Sequence, residues 1–194
     1  MNLPNKLTLL RVFLIPFFLL CMYLKFPFHY LAALAIFSAA SITDALDGKI
    51  ARSRNLVTNF GKFLDPLADK VLVLAALAVF VEIPDIRVGA IPLIIISARE
   101  FMVSGLRLLA ANSGIVVAAG MWGKLKTAFT MVAIITALVW LSACYDFSFN
   151  FPQAFADVVD VWIIPALIWI STVLTIISGV IYLKGYWNLI DTDK

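Results

Sequence analysis

Six apolar stretches, roughly Leu7–Leu24, Tyr30–Ile50, Lys70–Ile83, Val88–Ala111, Met121–Cys144 and Val161–Trp187, occupy most of the chain. A spanning helix needs about 20 predominantly apolar residues. None of the six alternates polar and apolar residues as a barrel strand would. Backbone groups inside lipid must find partners within their own segment, so helices are the spanning form open to these stretches. The third stretch is short, and its helix is predicted to begin near Pro66, a residue suited to a first helical turn. Composition agrees: 63% of residues are hydrophobic and 14% charged, against about 45–50% and about 25% in soluble domains. A soluble fold of 194 residues could not hide that much apolar surface. Disordered, collagenous, coiled-coil and disulfide-scaffold classes are excluded, and the net charge of +3 does not argue for a nucleic-acid partner. The expected fold is an all-α polytopic membrane protein with six transmembrane helices, a single membrane-embedded domain over residues 1–194.

Charge sets the expected topology. With six spans, both termini share a side with the second/third and fourth/fifth connections. That side collects thirteen of the fifteen lysines and arginines; Lys25 and Arg87 fall on the other, beside Glu82, Asp85, Asp146, Asp157 and Asp160. The positive-inside bias puts both termini in the cytoplasm. The short linkers Lys25–His29 and Ile83–Arg87 imply antiparallel neighbours, and Ser53–Leu64, Asn112–Gly120 and Tyr145–Asp160 are the longest predicted loops. Cys21 and Cys144 lie in apolar runs and read as small hydrophobes. His29, the single histidine, leaves no histidine-based metal site or Ser-His-Asp triad, and reads as solvated surface in the outer linker. Trp140, Trp162, Trp169 and Trp187 read as interface anchors or packing.

Four aspartates carry the chemistry. Asp44 and Asp47 stand three apart, and Asp65 and Asp69 four apart, so each pair shares a helix face. A short connection joins the two helices, which lets the pairs converge at the cytoplasmic boundary. Four ionised carboxylates gathered there need a counter-charge. Hard divalent cations with oxygen ligands supply it, and the lack of His and Cys ligands favours Mg²⁺ or Mn²⁺ over zinc. Gly48, Ala51 and Gly61 are small where a ligand must approach closely. Arg52 offers a planar fork to a phosphate. Capping explains each aspartate alone (Asp65 before Pro66, Asp69 in a first turn) but not all four followed by an arginine.

Asp44-x-x-Asp47-Gly48-x-x-Ala51-Arg52, then Gly61, Asp65 and Asp69 at their fixed spacings, resembles the complete signature of the CDP-alcohol phosphotransferases. The resemblance implies a six-helix membrane fold, usually homodimeric, with two divalent cations held by Asp44, Asp47, Asp65 and Asp69. It implies a CDP site at Asp44, Gly48, Ala51, Arg52 and Gly61, with Asp69 as general base. The implied reaction is attack of an alcohol on a CDP-linked phosphate with release of CMP.

That core does not choose the alcohol. Asn5, Thr8 and Arg11, then Ala98-Arg99-Glu100, Gly105-Leu106-Arg107 and Gly123-Lys124-x-Lys126-Thr127, resemble the phosphatidylglycerophosphate synthase branch of the family. That branch implies a bacterial cell-membrane enzyme, CDP-diacylglycerol as lipid donor and sn-glycerol 3-phosphate as acceptor. Charges inside an apolar span cost at least about 2.5 kcal/mol each, so Arg99, Glu100 and Arg107 are expected to face a bundle interior or aqueous cavity. Arg99 and Arg107, two turns apart, would line a basic pocket with Lys124 and Lys126, with Thr8 and Arg11 added from the first helix. A structural Arg99–Glu100 pair is the plainer alternative. Other family members, such as a cardiolipin synthase or an inositol-phosphate transferase, also remain open. A cation-binding transporter would place its carboxylates near the bilayer midplane on discontinuous helices, often with inverted repeats. These aspartates sit at a boundary, and the sequence shows no repeat.

Overall fold

The computed structural model describes the backbone of residues 3–54, 59–112 and 120–187, and the side chains of 7–43, 68, 70–110 and 120–187. Among the described residues there is no strand. The long helices are α1 (Leu3–Tyr23), α2 (His29–Arg54), α3 (Asn59–Glu82), α4 (Ala90–Asn112) and α5 (Met121–Leu141). A π-helical turn, Ser142–Asp146, extends α5; α6 (Gln153–Val158) runs through a second such turn, Val159–Ile163, into α7 (Ile164–Gly185). Each long helix covers one of the apolar stretches. Among the described residues, two continuous rods, Met121–Asp146 and Gln153–Gly185, are long and apolar enough to cross a bilayer, with mean hydropathies of 2.0 and 2.2. Leu7–Tyr23 and His29–Thr43 are shorter apolar segments.

Three boundaries differ from the sequence reading. Helix α3 begins at Asn59 rather than near Pro66, because Phe60, Phe63 and Leu64 extend its apolar run one turn and more upstream. Helix α2 continues past Ile50 to Arg54, so Ser53, Arg54 and Asn59–Leu64 of the expected loop Ser53–Leu64 are helical; residues 55–58 lie outside the described part. The expected loop Tyr145–Asp160 holds α6 and parts of both π turns. Trp140 explains that order: its Nε1 donates to Asp160 at 2.7 Å and its ring packs on Phe151 and Phe155.

The helices sort into two groups, α1–α2–α3 and α4–α5–α7, joined where α2 meets α5 and α3 meets α4. The shared core is aliphatic and aromatic, with Phe18, Phe37, Phe80, Leu77, Ile134, Leu138, Ile164 and Ile168 almost fully buried. Helix α7 reaches α5 closely because the face it presents is small and polar. Ser171, Thr172, Thr175 and Ser178 are all fully buried, and Thr130 Oγ1 and Ser171 Oγ lie 2.5 Å apart. Small hydroxyl residues let helices approach without a hydrophobic driving force. Where α1 turns into α2, Phe28 takes the left-handed conformation (φ 60°), and Asp146 caps the new helix by accepting from the Leu31 N–H at 2.7 Å. Such a cap satisfies donors that a helix start otherwise leaves open. His29 is half-buried rather than solvated, its Nδ1 3.1 Å from the Cys21 carbonyl oxygen, because this turn folds back on α1. Cys21 and Cys144 are both free thiols.

Candidate active site

Asp44 and Asp47 belong to the last three turns of α2, and Gly61, Asp65 and Asp69 to the first three turns of α3. Gly48, Ala51 and Arg52 follow the first pair on α2. Both pairs therefore sit on helices rather than loops, as their spacings of three and four require. Helix α1 packs against both signature helices. The side chains of these eight residues lie outside the described part. Their chemistry fits divalent-metal binding: four carboxylates from two helices joined by a short connection offer only hard oxygen donors. Among the described residues no other group of His, Cys, Asp or Glu could hold a metal.

Lys70, on α3, lines a cavity of about 510 Å³ whose other walls come from α4, α5 and α7. Arg99, Arg107, Lys124 and Lys126, the four basic residues predicted from α4 and α5, all line it. Among the described lining residues, five cationic side chains thus stand with one carboxylate, Glu100. Cations gathered in a half-enclosed cavity of this size suit an anion, since low-dielectric walls focus their field.

The cations divide into two kinds. Glu100 Oε1 accepts from Arg99 Nη1 at 2.9 Å and from Lys126 Nζ at 2.6 Å, with side-chain exposures of 13, 10 and 9% for Glu100, Arg99 and Lys126. The Arg99–Glu100 pair is thus present, but as part of a triad that also takes Lys126. A carboxylate between two cations offsets the desolvation that either would suffer alone. Arg107 and Lys124 are exposed, and neither has an ion-pair partner among the described residues. They are the charges left for a ligand. Lys70 Nζ donates to the Glu100 carbonyl oxygen at 3.3 Å and to Ser104 Oγ, tying the helix that carries Asp69 to α4.

Thr8 and Arg11 are not among the residues lining this cavity. Each is 1% exposed, buried on α1, the helix packed against α2 and α3. The sequence grouped them with the acceptor pocket; the fold turns them toward the helix group that bears the aspartates.

Helix α7 supplies residues that sequence reasoning missed. Ser178 Oγ accepts from Arg99 Nη2 at 2.5 Å. The Tyr182 hydroxyl accepts from Arg107 Nη2 at 3.2 Å and from the Gly120 N–H at 3.1 Å. Its ring lies beneath both guanidiniums, at 5.4 Å from Arg99 Cζ and 5.8 Å from Arg107 Cζ. The available signal was the spacing of Ser171, Thr175, Ser178 and Tyr182 at i, i+4, i+7 and i+11, one polar face on an otherwise apolar helix.

Comparison with known proteins matches residues 1–177 to the model of the CDP-alcohol phosphatidyltransferase family. A Bacillus subtilis protein named CDP-diacylglycerol–glycerol-3-phosphate 3-phosphatidyltransferase is 42% identical over 205 aligned positions, covering 100% of this chain and 99% of its own length. Proteins of the same name are 40% identical in Rickettsia bellii (95% of this chain, 94% of the relative) and 37% identical in Pseudomonas fluorescens (100% and 94%). The signature on α2 and α3, the helical fold and these matches agree, and the chain belongs to the CDP-alcohol phosphatidyltransferase family.

Proposed function

We propose that this protein transfers the phosphatidyl group of CDP-diacylglycerol to sn-glycerol 3-phosphate, giving phosphatidylglycerophosphate and CMP in phospholipid synthesis. The observation that carries the reading is the cation-lined cavity that begins at Lys70, one residue beyond Asp69. An acceptor that bears its own phosphate needs such a cavity; a neutral alcohol does not. The names of the relatives support the same donor and acceptor.

The protein acts as a homodimer in the cell membrane, with both termini and the site on the cytoplasmic side. CDP-diacylglycerol enters laterally, its acyl chains in lipid and its cytidine diphosphate over Gly48, Ala51, Arg52 and Gly61. The family generally depends on divalent cations, and Asp44, Asp47, Asp65 and Asp69 would hold two of them, Mg²⁺ or Mn²⁺. Bound there, such ions neutralise charge developing on the diphosphate. Arg107 and Lys124 grip the acceptor phosphate; Arg99 and Lys126, tied to Glu100, form the floor beneath it. Asp69 takes the proton from the primary hydroxyl. That oxygen forms a bond to the phosphorus bearing diacylglycerol, and the bond from this phosphorus to the CMP oxygen breaks. Orientation of two phosphates and stabilisation of charge supply most of the acceleration. Buried Arg11 on α1 serves as counter-charge to the carboxylate pairs, with Thr8 beside it on the same helix face.

The deciding experiment gives purified protein CDP-diacylglycerol with sn-glycerol 3-phosphate, phosphatidylglycerol or inositol phosphate in turn and follows CMP release. Turnover with glycerol phosphate alone is expected. Preferential turnover with either of the others assigns the protein to another acceptor, and no CMP release with any of them sinks the transferase reading.

A further inference from the structure

Helix α7 lies outside the signature and contributes no charge to the cavity. Its buried face nevertheless touches both arginines of α4. Ser178 and Tyr182, one turn apart, accept from Arg99 and Arg107 respectively. Gly179, between them, leaves room for the Arg99 stem: a Cβ there would stand 3.2 Å from Arg99 Cγ. Tyr182 also accepts from the N–H of Gly120, the residue preceding α5, four positions before Lys124. One phenol oxygen therefore bridges two cavity walls, the end of α4 that carries Arg107 and the start of α5 that carries Lys124. At 5% exposure, the Tyr182 ring is enclosed and its hydroxyl fixed.

We propose that Tyr182, with Ser178 beside it, is the positioning element of the acceptor-phosphate site. Its hydroxyl sets the spacing between Arg107 and Lys124, and its ring holds both guanidiniums toward the cavity. This rests on the acceptor reading given above. Arginine is a long side chain with much rotamer freedom to lose. A partner that has already fixed its guanidinium removes that cost from ligand binding. Stacking on a tyrosine face orients a guanidinium without neutralising it, whereas a carboxylate partner would cancel the charge the ligand needs. Glu100 does the latter for Arg99 and Lys126; Tyr182 does the former for Arg107.

The test compares wild type, Tyr182→Phe and Tyr182→Leu, full-length, in vesicles containing CDP-diacylglycerol, each substrate being varied in turn. Tyr182→Phe keeps the ring and loses one acceptor oxygen. It is expected to raise the KM for sn-glycerol 3-phosphate about 2- to 10-fold, the scale of one hydrogen bond, while the KM for the lipid stays and kcat changes less. Tyr182→Leu also loses the ring and is expected to raise the acceptor KM further. A merely structural role would lower kcat and raise both KM values together, and that outcome overturns the proposal; so does an unchanged acceptor KM in Tyr182→Phe. Should the leucine variant fail to fold, the near-isosteric phenylalanine variant decides alone. Binding of inorganic phosphate, measured by isothermal titration, separates this proposal from the acceptor assignment. A wild-type protein idle with glycerol phosphate, yet binding phosphate more weakly once Tyr182 is Phe, would sink the acceptor and leave the positioning role standing. Equal phosphate affinity in the two proteins would sink the positioning role.

Discussion

Cavities of similar volume open at the two ends of the bundle, about 510 Å³ beside the signature and about 590 Å³ at the far end. Their polar side chains follow opposite rules. Among the described residues lining the cavity beside the signature, five are cationic and one, Glu100, is acidic, and Arg107 and Lys124 pair with no described acid. At the far end the carboxylates are already engaged. Glu82 accepts from the Tyr23 hydroxyl at 2.8 Å, and Asp85 accepts from Tyr145. Tyr30 and Tyr145 meet nearby in a tilted pair, with centroids 5.6 Å apart. Volume does not distinguish the two cavities; unspent charge does. A charge held near lipid without a partner is expensive and marks where a ligand is expected to complete it.

The largest test of that contrast is Asp69→Asn, which lies next to the first wall of the charged cavity. CMP release should fall by about 10²–10⁴, the usual contribution of a positioned base, with CDP-diacylglycerol binding retained in a lipid-binding assay; near-normal turnover would remove Asp69 from the role of base. Chelation comes next. EDTA should stop turnover, and excess Mg²⁺ or Mn²⁺ should restore it; activity that persists in chelator would disconnect the four aspartates from metal. Arg107→Ala should raise the acceptor KM about 10- to 100-fold, as expected for losing a charge-assisted hydrogen bond, and should leave the lipid KM nearly alone. Equal changes in both would argue against a phosphate ligand there. The smallest effect is expected at the far end. Glu82→Gln removes an exposed charge while keeping an oxygen that can accept from Tyr23, and should cost at most about 1 kcal/mol of stability, read as a small shift in melting temperature, with kcat and both KM values unchanged. A marked loss of activity would erase the distinction between the two ends.

Much of this arrangement was legible in the sequence because the relevant signals are local. Asp44/Asp47 and Asp65/Asp69 announce shared helix faces by spacing alone. Arg99 and Arg107 two turns apart, inside an apolar run, announce a cavity. Which neighbour each residue meets is not local. The triad of Glu100 with Arg99 and Lys126 depends on α4 and α5 both packing on α7, so that their side chains meet across the cavity. Thr8 and Arg11 look like pocket residues until α1 is seen packed on α2 and α3. Pro66 suggested a helix start, and the aromatic run upstream of it outweighed that preference. Tyr182 escaped notice because a tyrosine in an apolar helix has an ordinary packing explanation, and only its distance to two guanidiniums gives it another.

The excess of positive charge beside Asp69 has a cost in selectivity. Arginine and lysine recognise a tetrahedral dianion whatever carbon skeleton follows it, so inorganic phosphate and sulfate would compete for the same basin. Its mouth opens to water, where mobile ions screen over about 8 Å at physiological ionic strength. Occupancy of that basin would then follow the ratio of the acceptor to the competing anions at its mouth.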